Sequence, residues 1–331
     1  MRIGVWSLAH VHAPAYLSIL SQRNDIEWLG ITDKDAARGE AAAAKAGIPF
    51  EPDPAQLLAK VDAVVITSAN ADHRDMAIRA AQAGVHALVE KPIATTAADA
   101  EDMIQAFGSR GLVLATAFPC PFSPAFVDLL STVRAGTLGK ILGIKATNRG
   151  TMPGGFFIDL EKSGGGAVID HTVHVADLVR RLTQSEVVAV QAEIGHGLFH
   201  ENWDDSGLLM LDMADGSFAS LDTSWSRPKS FPTWGDVTLK VIGEQGNATV
   251  DLFAQHVTIY PGESKPARWA SWGSDMDALM ISDFLSCVAQ GTRPMSTGED
   301  GLRALEVTLT AYASAESGQS VAMSEIGRDS D

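Results

Sequence analysis

The chain has 331 residues, of which 46% are hydrophobic and 20% charged, which excludes a disordered protein and leaves room for two domains. Its formal net charge of −16 argues against nucleic acid and anionic membranes as partners, because both are bound through basic patches. No apolar stretch reaches membrane-spanning length, no signal-peptide pattern opens the sequence, and the two cysteines, Cys120 and Cys287, form no disulfide framework. We therefore expect a cytoplasmic protein.

The first third of the chain alternates predicted strands and helices. Short apolar runs predict the strands RIGVW, IEWLGIT, VDAVVIT, HALVE and GLVLATA. Helices are predicted between them over residues 13–22, 36–46, 74–83 and TTAADAEDMIQAFG, the last with Thr96 as its N-cap. Buried strands separated by helices predict an α/β domain with a parallel sheet covered on both faces.

The pattern changes at FPCPFSP, which has too many prolines for a helix or a central strand, so we predict domains over 1–118 and 119–331. Beyond it, helices are predicted over 123–135, after the following glycine-rich segment, and over 275–290 and 298–317. Strands are predicted over KILGIKAT, EVVAVQAEIG, SGLLMLDM, SFASLDTSW, DVTLKVIG and NATVDLF, with hairpin turns at MADGSFA and GEQGNAT and a polar tail over 324–331. The second domain is thus predicted to be α+β with a large, mostly antiparallel, open sheet.

The first turn, within GVWSLAHVHAPAY, stands where a dinucleotide-binding βαβ unit carries three glycines. Ser7, Ala9 and His12 occupy the three places. Serine and alanine are small enough for a pyrophosphate to approach the backbone, whereas histidine is not. The candidate cofactor contacts in this turn are Ser7, Leu8, Ala9, His10 and Val11.

The pair His10 and His12 admits three interpretations. A metal site on His-x-His lacks further ligands of suitable spacing nearby in the sequence, so we predict no metal. One of the histidines can face the nicotinamide end of the pocket and touch substrate or cofactor. Alternatively, both are packing residues.

Asp33 ends the second predicted strand, about 20 residues after the turn, where an acid accepts hydrogen bonds from a ribose 2′-hydroxyl. A carboxylate there repels a 2′-phosphate, which favours NAD over NADP, although Lys34 beside it weakens that preference. Asp33 can also be a helix-capping or surface acid.

Polar residues follow the next two strands, in TSANADH and EKP. Ligands bind at the carboxyl ends of parallel strands, so both segments should line one crevice. The candidates there are Ser68, Asn70, His73, Glu90 and Lys91. Lys91 stands where a buried ammonium can hydrogen-bond a reacting oxygen.

In the second half, GGGAVIDHTVHVADL places Asp170 and His174 four residues apart on one helix face, a pairing that suits proton transfer to or from a hydroxyl. The alternative is a capping interaction. The run Gly164–Gly166 predicts a close backbone approach, most simply to another strand or to the cofactor.

With these motifs, and with LKVIGEQGNATV and GEDGLRALEVTLTAYASAESGQ, the chain resembles the Gfo/Idh/MocA oxidoreductases over nearly its whole length. The resemblance implies a Rossmann domain, followed by a domain whose open sheet makes homodimer or homotetramer contacts. It also implies a nicotinamide cofactor and a sugar, cyclitol or polyol substrate. Lys91 would contact the reacting hydroxyl and the nicotinamide ribose. His174 would be the general base in oxidation and the acid in reduction, and Asp170 would position the substrate or the catalytic group. Asn70, His73 and Glu90 would line the cofactor, and the Lys91–Pro92 peptide bond would be cis.

The chain departs from the resemblance at the first turn, at CPFSP, and at His171 and Thr172, where relatives often carry glycine two residues after the aspartate. We expect Arg149 and His171 to select the substrate, in particular one with a carboxylate, although Arg149 can equally be a surface residue. The expected substrate contacts are His12, Lys91, Asn148, Arg149, Asp170, His171 and His174.

The sequence therefore predicts an NAD(H)-dependent oxidoreductase that acts on a hydroxyl or keto carbon of a sugar, cyclitol or derivative. One alternative is a redox-assisted lyase or glycosidase that retains its NAD. Another is a nucleotide-binding sensor without catalytic activity.

Overall fold

The computed structural model describes residues 1–259 and 268–323, and the chain divides into two compact units. Unit 1 comprises Met1–Pro119, Glu161–Gly164 and Met276–Leu302. Unit 2 comprises Cys120–Leu160 and the described parts of Gly165–Asp275 and Arg303–Asp331. The predicted polar tail over 324–331 lies outside the described residues.

Unit 1 is built on a parallel five-stranded sheet of order β2-β1-β3-β4-β5, as the sequence predicts. Its strands are β1 Arg2–Trp6, β2 Glu27–Thr32, β3 Ala63–Ile66, β4 His86–Val89 and β5 Leu114–Thr116. Its helices within the first 119 residues are α1 Ala13–Ser21, α2 Ala36–Ala46, α3 Pro54–Leu58, α4 His73–Gln82 and α5 Ala97–Gly108. The Thr96 cap is confirmed, because its Oγ1 accepts the Asp99 N–H at 3.1 Å. Helix α3 was not predicted, although Asp53 caps it at the Ala55 N–H.

From residue 120 onward the helices are α6 Pro124–Arg134, α7 Leu160–Ser163, α8 Ala167–Thr183, α9 Met276–Gln290 and α10 Gly298–Ser317. The strands are β6 Ile141–Gly150, β7 Val187–Gly195, β8 Ser206–Met213, β9 Phe218–Ser224, β10 Gly235–Gly243, β11 Asn247–Asp251, β12 His256–Ile259, β13 Arg268–Ser271 and β14 Val321–Ala322. Strands β12 and β13 form a separate antiparallel pair that was not predicted.

The main sheet of unit 2 has the order β11-β10-β6-β9-β8-β7-β14 in the described part of the chain. All its neighbours are antiparallel except β6 and β9, which confirms the predicted mostly antiparallel sheet and both hairpins. Strand β6 continues past the predicted KILGIKAT, because Asn148 and Arg149 pair with Val237 and Asp236 of β10. Helix α8 packs on β6 and β9, so the sheet positions the residues of that helix.

The domain prediction needs one change, because 161–164 and 276–302 were assigned to the second domain and lie in unit 1. The reason is hydrogen bonding to the first 119 residues. Arg23 Nη1 donates to Ser282 Oγ at 2.7 Å, and the Thr116 N–H donates to the Ser296 carbonyl at 3.0 Å.

Among the residues that the structure describes, no helix is both long and apolar enough to cross a membrane.

Candidate active site

The first turn keeps the shape of a glycine turn without glycine. Ser7 has a φ of 71°, the left-handed conformation that glycine adopts most readily. Its N–H donates to the Thr32 carbonyl at 2.7 Å, and its carbonyl accepts the Thr67 hydroxyl at 2.6 Å. These two bonds tie the turn to the ends of β2 and β3, so a serine holds the conformation that the first glycine place requires.

Most backbone donors of this turn are already used within the protein. The N–H of Leu8 donates to Asp33 Oδ2 at 2.8 Å and that of His10 to the Thr67 carbonyl at 3.0 Å. The N–H of His12 donates to His10 Nδ1 at 3.2 Å. No partner from the described residues accepts the Val11 N–H, so the turn offers a bound diphosphate fewer donors than a glycine-rich turn does.

Asp33 is buried at the end of β2 and is neither a surface acid nor the cap of α2, whose N-cap is Asp35. The Arg38 guanidinium binds it in a two-pronged pair, with Nε–Oδ2 and Nη2–Oδ1 distances of 2.9 and 2.7 Å. This hydrogen bond to Asp33 raises the pKa of Arg38 further. The neighbouring Lys34 is paired with Asp72. Both cations next to Asp33 are therefore already engaged.

The residues that follow β3 are buried and bonded within unit 1. Asn70 Nδ2 donates to the Ser163 carbonyl at 2.8 Å, and Ser68 Oγ donates to the Ala69 carbonyl at 3.1 Å. His73 Nδ1 lies 2.9 Å from the Pro92 carbonyl, and burial lowers the pKa of this histidine. These contacts brace the ends of β3 and β4.

A buried cluster forms where β4 ends, because Glu90 lies between two histidines of the first turn. Glu90 Oε1 lies 3.1 Å from His12 Nδ1 and 3.4 Å from His10 Nδ1, and Oε2 accepts the Lys91 N–H at 3.1 Å. Burial opposes ionisation of Glu90, but the charges of His10, His12 and Lys91 outweigh it and hold the pKa of Glu90 far below its usual range. Lys91 is itself buried, and its peptide bond to Pro92 is cis, as the resemblance implied.

In unit 2 the close approach at the glycine run is confirmed at Gly166, and the neighbouring backbone is that of Asp204, which precedes β8, rather than that of a strand. A Cβ on Gly166 would overlap the Asp204 carbonyl oxygen. The Asp204 carboxylate accepts the N–H groups of Gly166 and Val168, both at 2.7 Å, and the Tyr312 hydroxyl at 3.0 Å. Asp204 therefore caps α8 from a distant part of the chain.

Because Asp204 caps α8, the capping alternative for Asp170 is not needed. Asp170 Oδ2 accepts the Trp225 Nε1–H at 3.0 Å and lies 3.2 Å from His171 Nε2. His171 Nδ1 lies 2.9 Å from the Asn148 carbonyl, so an oxygen faces each ring nitrogen. His174 follows one helical turn after Asp170 and is buried. The helix thus presents the acid and the imidazole in a fixed arrangement.

Arg149 is not a free cation. Its Nη2 lies 3.1 Å from Asp236 Oδ2, and Arg227 contacts the same carboxylate. Asn148 is fully buried and donates to the Asp236 backbone carbonyl at 3.1 Å. Any substrate carboxylate would have to compete with Asp236 for Arg149.

Comparison with known proteins identifies the fold that carries these residues. A family model described as an oxidoreductase family with an NAD-binding Rossmann fold matches residues 3–118, and the model of the GFO/IDH/MocA C-terminal domain matches residues 126–249. The chain belongs to the Gfo/Idh/MocA oxidoreductase family. It is an oxidoreductase on an NAD-binding Rossmann fold, as the sequence predicts.

Similar proteins span nearly the whole chain. The NAD(+)-dependent scyllo-inositol 2-dehydrogenase of Bacillus subtilis is 27% identical, over 96% of this chain and 94% of that protein. The myo-inositol 2-dehydrogenase of Thermotoga maritima is also 27% identical, over 98% and 99%. The crystal structure of GenD2 from gentamicin A biosynthesis in complex with NAD has a TM-score of 0.88 at 23% identity, covering 97% of this chain and 96% of that one, a likeness of fold.

The Gfo/Idh/MocA site in unit 1 fits a dinucleotide by its own geometry. Ser7 adopts the turn conformation, Val11 keeps an open N–H before α1, and Asp33 stands at the end of β2. Three contacts of the sites were not predicted from the sequence: that of Trp225 with Asp170, and those of Asp204 and Tyr312 with α8. Only the tight glycine run hinted at Asp204, and no local pattern pointed to the other two contacts.

Proposed function

We propose that the protein is an NAD(H)-dependent oxidoreductase that transfers hydride between nicotinamide and a hydroxyl or keto carbon of a sugar, cyclitol or related compound. The observation that carries the proposal is the buried Glu90–Lys91–Pro92 segment at the carboxyl end of a parallel sheet that belongs to an NAD-binding fold. The two inositol dehydrogenases among its relatives support this substrate class.

The proposed catalytic residues are Lys91, Asp170 and His174. In oxidation, the substrate hydroxyl gives its proton to His174, which returns it in reduction. The Lys91 ammonium stabilises negative charge on the reacting oxygen, an interaction that is stronger away from water. Asp170, held by Trp225 and His171, positions the substrate. A nicotinamide held by the cofactor residues named below would supply the hydride acceptor for the carbinol carbon.

The other proposed contacts follow the predicted set. For the cofactor, we propose NAD rather than NADP, since Asp33 repels a 2′-phosphate and already holds Arg38. The proposed cofactor residues are Ser7, Leu8, Ala9, His10, Val11, Asp33, Lys34, Ser68, Asn70, His73, Glu90 and Lys91. For the substrate we propose His12, Asn148, Arg149 and His171 beside the catalytic residues.

We also propose a cytoplasmic homodimer or homotetramer that associates through the sheet of unit 2. Large apolar side chains of five of its strands are more than a third exposed, and such patches mark interfaces. They are Leu142, Val188, Leu208, Met210, Phe218 and Ile242.

The experiment is to follow reduced-nicotinamide absorbance with a panel of sugars, cyclitols, polyols and sugar acids, supplying NAD and NADP separately. Lys91→Met should abolish the signal, whereas Lys60→Met, which removes an exposed lysine paired with Glu51, should retain it. The proposal is supported if one compound class reduces NAD with the wild-type protein and does not do so with Lys91→Met. No reduction contradicts it: NAD trapped in the denatured protein then favours the redox-assisted lyase or glycosidase, and its absence favours the sensor.

A further inference from the structure

The hydride transfer described above gives Glu90 and His12 contacts with the ligands but no part in the proton transfer. The Glu90 carboxylate is completely buried, and its Oε1 lies 3.1 Å from His12 Nδ1. An ionised carboxylate at this distance makes Nδ1 the protonated nitrogen, so the other ring nitrogen, Nε2, is the one that can exchange a proton. A buried acid that orients a histidine is the usual build of an acid–base dyad.

The surroundings hold His12 in this orientation. His10 Nδ1 accepts the His12 backbone N–H at 3.2 Å, and the two rings pack edge to face with centroids 4.5 Å apart. The side chains of His10 and Glu90 have no exposed surface, whereas 27% of the His12 side chain is exposed. Within residues 1–259 and 268–323, no residue hydrogen-bonds to His12 Nε2. His12 is thus the member of the cluster that a ligand can reach.

The titratable groups that face His12 come from three elements: Glu90 and Lys91 at the end of β4, His10 in the first turn, and Asp277 on α9. Burial lowers the pKa of His12, but the charge and hydrogen bond of Glu90 outweigh burial and raise it above the ordinary value. Lys91 opposes this effect and Asp277 adds to it. The protonated form of His12 therefore has a partner, Glu90, that stabilises its charge.

We propose that His12, oriented by Glu90, is a second acid–base residue of the enzyme and exchanges a proton through Nε2 with a hydroxyl of the ligand bound beside Lys91. The inference rests on the proposed function. When the imidazolium acts as an acid, its Nε2–H bond breaks and an O–H bond forms on the deprotonated (alkoxide) form of that hydroxyl, so that His12 becomes neutral while Glu90 stays ionised. The reverse step restores the alkoxide and the imidazolium. The hydroxyl belongs either to the substrate or to the nicotinamide ribose, and both present the same chemistry.

A metal ion is the competing interpretation, because one ligand atom each from His10, His12 and Glu90 lies within 4.8 Å of the others. One observation disfavours it. His10 Nδ1 already accepts the backbone N–H of His12, so its lone pair is engaged within the protein. The cluster is better explained as a hydrogen-bonded proton site.

The first test is NMR titration of the His12 imidazole in the full-length protein, which does not depend on activity. The pKa should lie above about 6.5 in the wild type, and Glu90→Gln should lower it by about one unit or more. His200→Gln, a change at an exposed histidine of unit 2, should leave the His12 titration unchanged. If the hydroxyl belongs to the nicotinamide ribose, addition of NAD alone should shift the His12 titration. If it belongs to the substrate, the titration should shift only when substrate is added. A His12 pKa that ignores Glu90→Gln overturns the proposal.

The second test is kinetic. His12→Gln should lower kcat by about 10²-fold or more and remove one limb of its pH profile, with KM changed less than about threefold. A packing role would instead lower the melting temperature and leave the pH profile of the remaining activity intact, which contradicts the proposal. His12→Asn, a smaller side chain, should repeat the kinetic result if His12→Gln folds poorly. Stoichiometric zinc that survives purification, with activity lost to a chelator, would also overturn the dyad. If the wild type reduces no NAD with any substrate, the proposed function fails, while the NMR titration still decides the dyad.

Discussion

Asp204→Asn tests whether one carboxylate anchors the helix that carries the proposed acid and imidazole. The carboxylate accepts two backbone N–H groups of α8 at 2.7 Å and the Tyr312 hydroxyl. Hydrogen bonds to a charged group contribute about 1.5–3 kcal/mol each. An asparagine has one acceptor oxygen, and its amide nitrogen would face an N–H donor. We expect the free energy of unfolding to fall by about 3–5 kcal/mol when the lost interaction with the helix dipole is added.

The assay is differential scanning calorimetry together with urea unfolding. A loss of about 3 kcal/mol corresponds to a fall of about 6–12 °C in the melting temperature of a domain of this size. Asp251→Asn is the matched control in unit 2, since Asp251 accepts a single N–H, from Phe253, and should change stability by less than about 0.5 kcal/mol. If Asp204→Asn melted within about 1 °C of the wild type, the assignment of Asp204 as the anchor of α8 would be refuted.

Two further predictions concern the cofactor and high pH. Asp33→Ala should raise the NADP-to-NAD ratio of kcat/KM by about tenfold or more, because it frees Arg38 for a 2′-phosphate. The control Asp62→Ala, which breaks a similar pair with Arg2, should leave the ratio unchanged. An unchanged ratio in Asp33→Ala would contradict the role of Asp33 in selecting NAD. Burial, helped by the charge of Asp204, raises the pKa of the Tyr312 hydroxyl well above 10, so the unfolded chain releases this proton first and stability falls as pH rises above about 10. Urea unfolding should show that the free energy of unfolding of Tyr312→Phe falls less steeply above about pH 10 than that of the wild type. Equal slopes for the two proteins would argue against a buried neutral phenol.

The strands and helices of unit 1 could be predicted because local signals determine them. Apolar runs of strand length, Thr96 as a cap and glycines after the helices all act within a few residues. Helix α3 was missed although Asp53 and Pro54 form a recognisable start, because the helix has only five residues and no apolar period can be read over that length.

The candidate sites were predictable in part. Their residue types could be read from EKP and from the spacing of Asp170 and His174, because both lie on single elements. Their partners could not, since Asp204 lies 38 residues from Gly166 and Glu90 lies 78 residues from His12. Such pairs exist only once the sheets assemble. The same distance explains why His-x-His looked incomplete without its carboxylate.

The late segment of unit 1 bears on how the chain folds during synthesis. Strand β5 is the edge of its sheet, and Thr297 covers that edge by bridging to Ala115 and accepting the Thr116 hydroxyl at 2.9 Å. At about 5–20 residues per second, a ribosome needs roughly 10–40 s to reach residue 302 after making residue 119. Until then the nascent sheet has an open edge that is prone to aggregation. A shortened gene that ends at residue 118 would make this exposure permanent, so isolating the nucleotide-binding unit requires grafting residues 276–302 onto it.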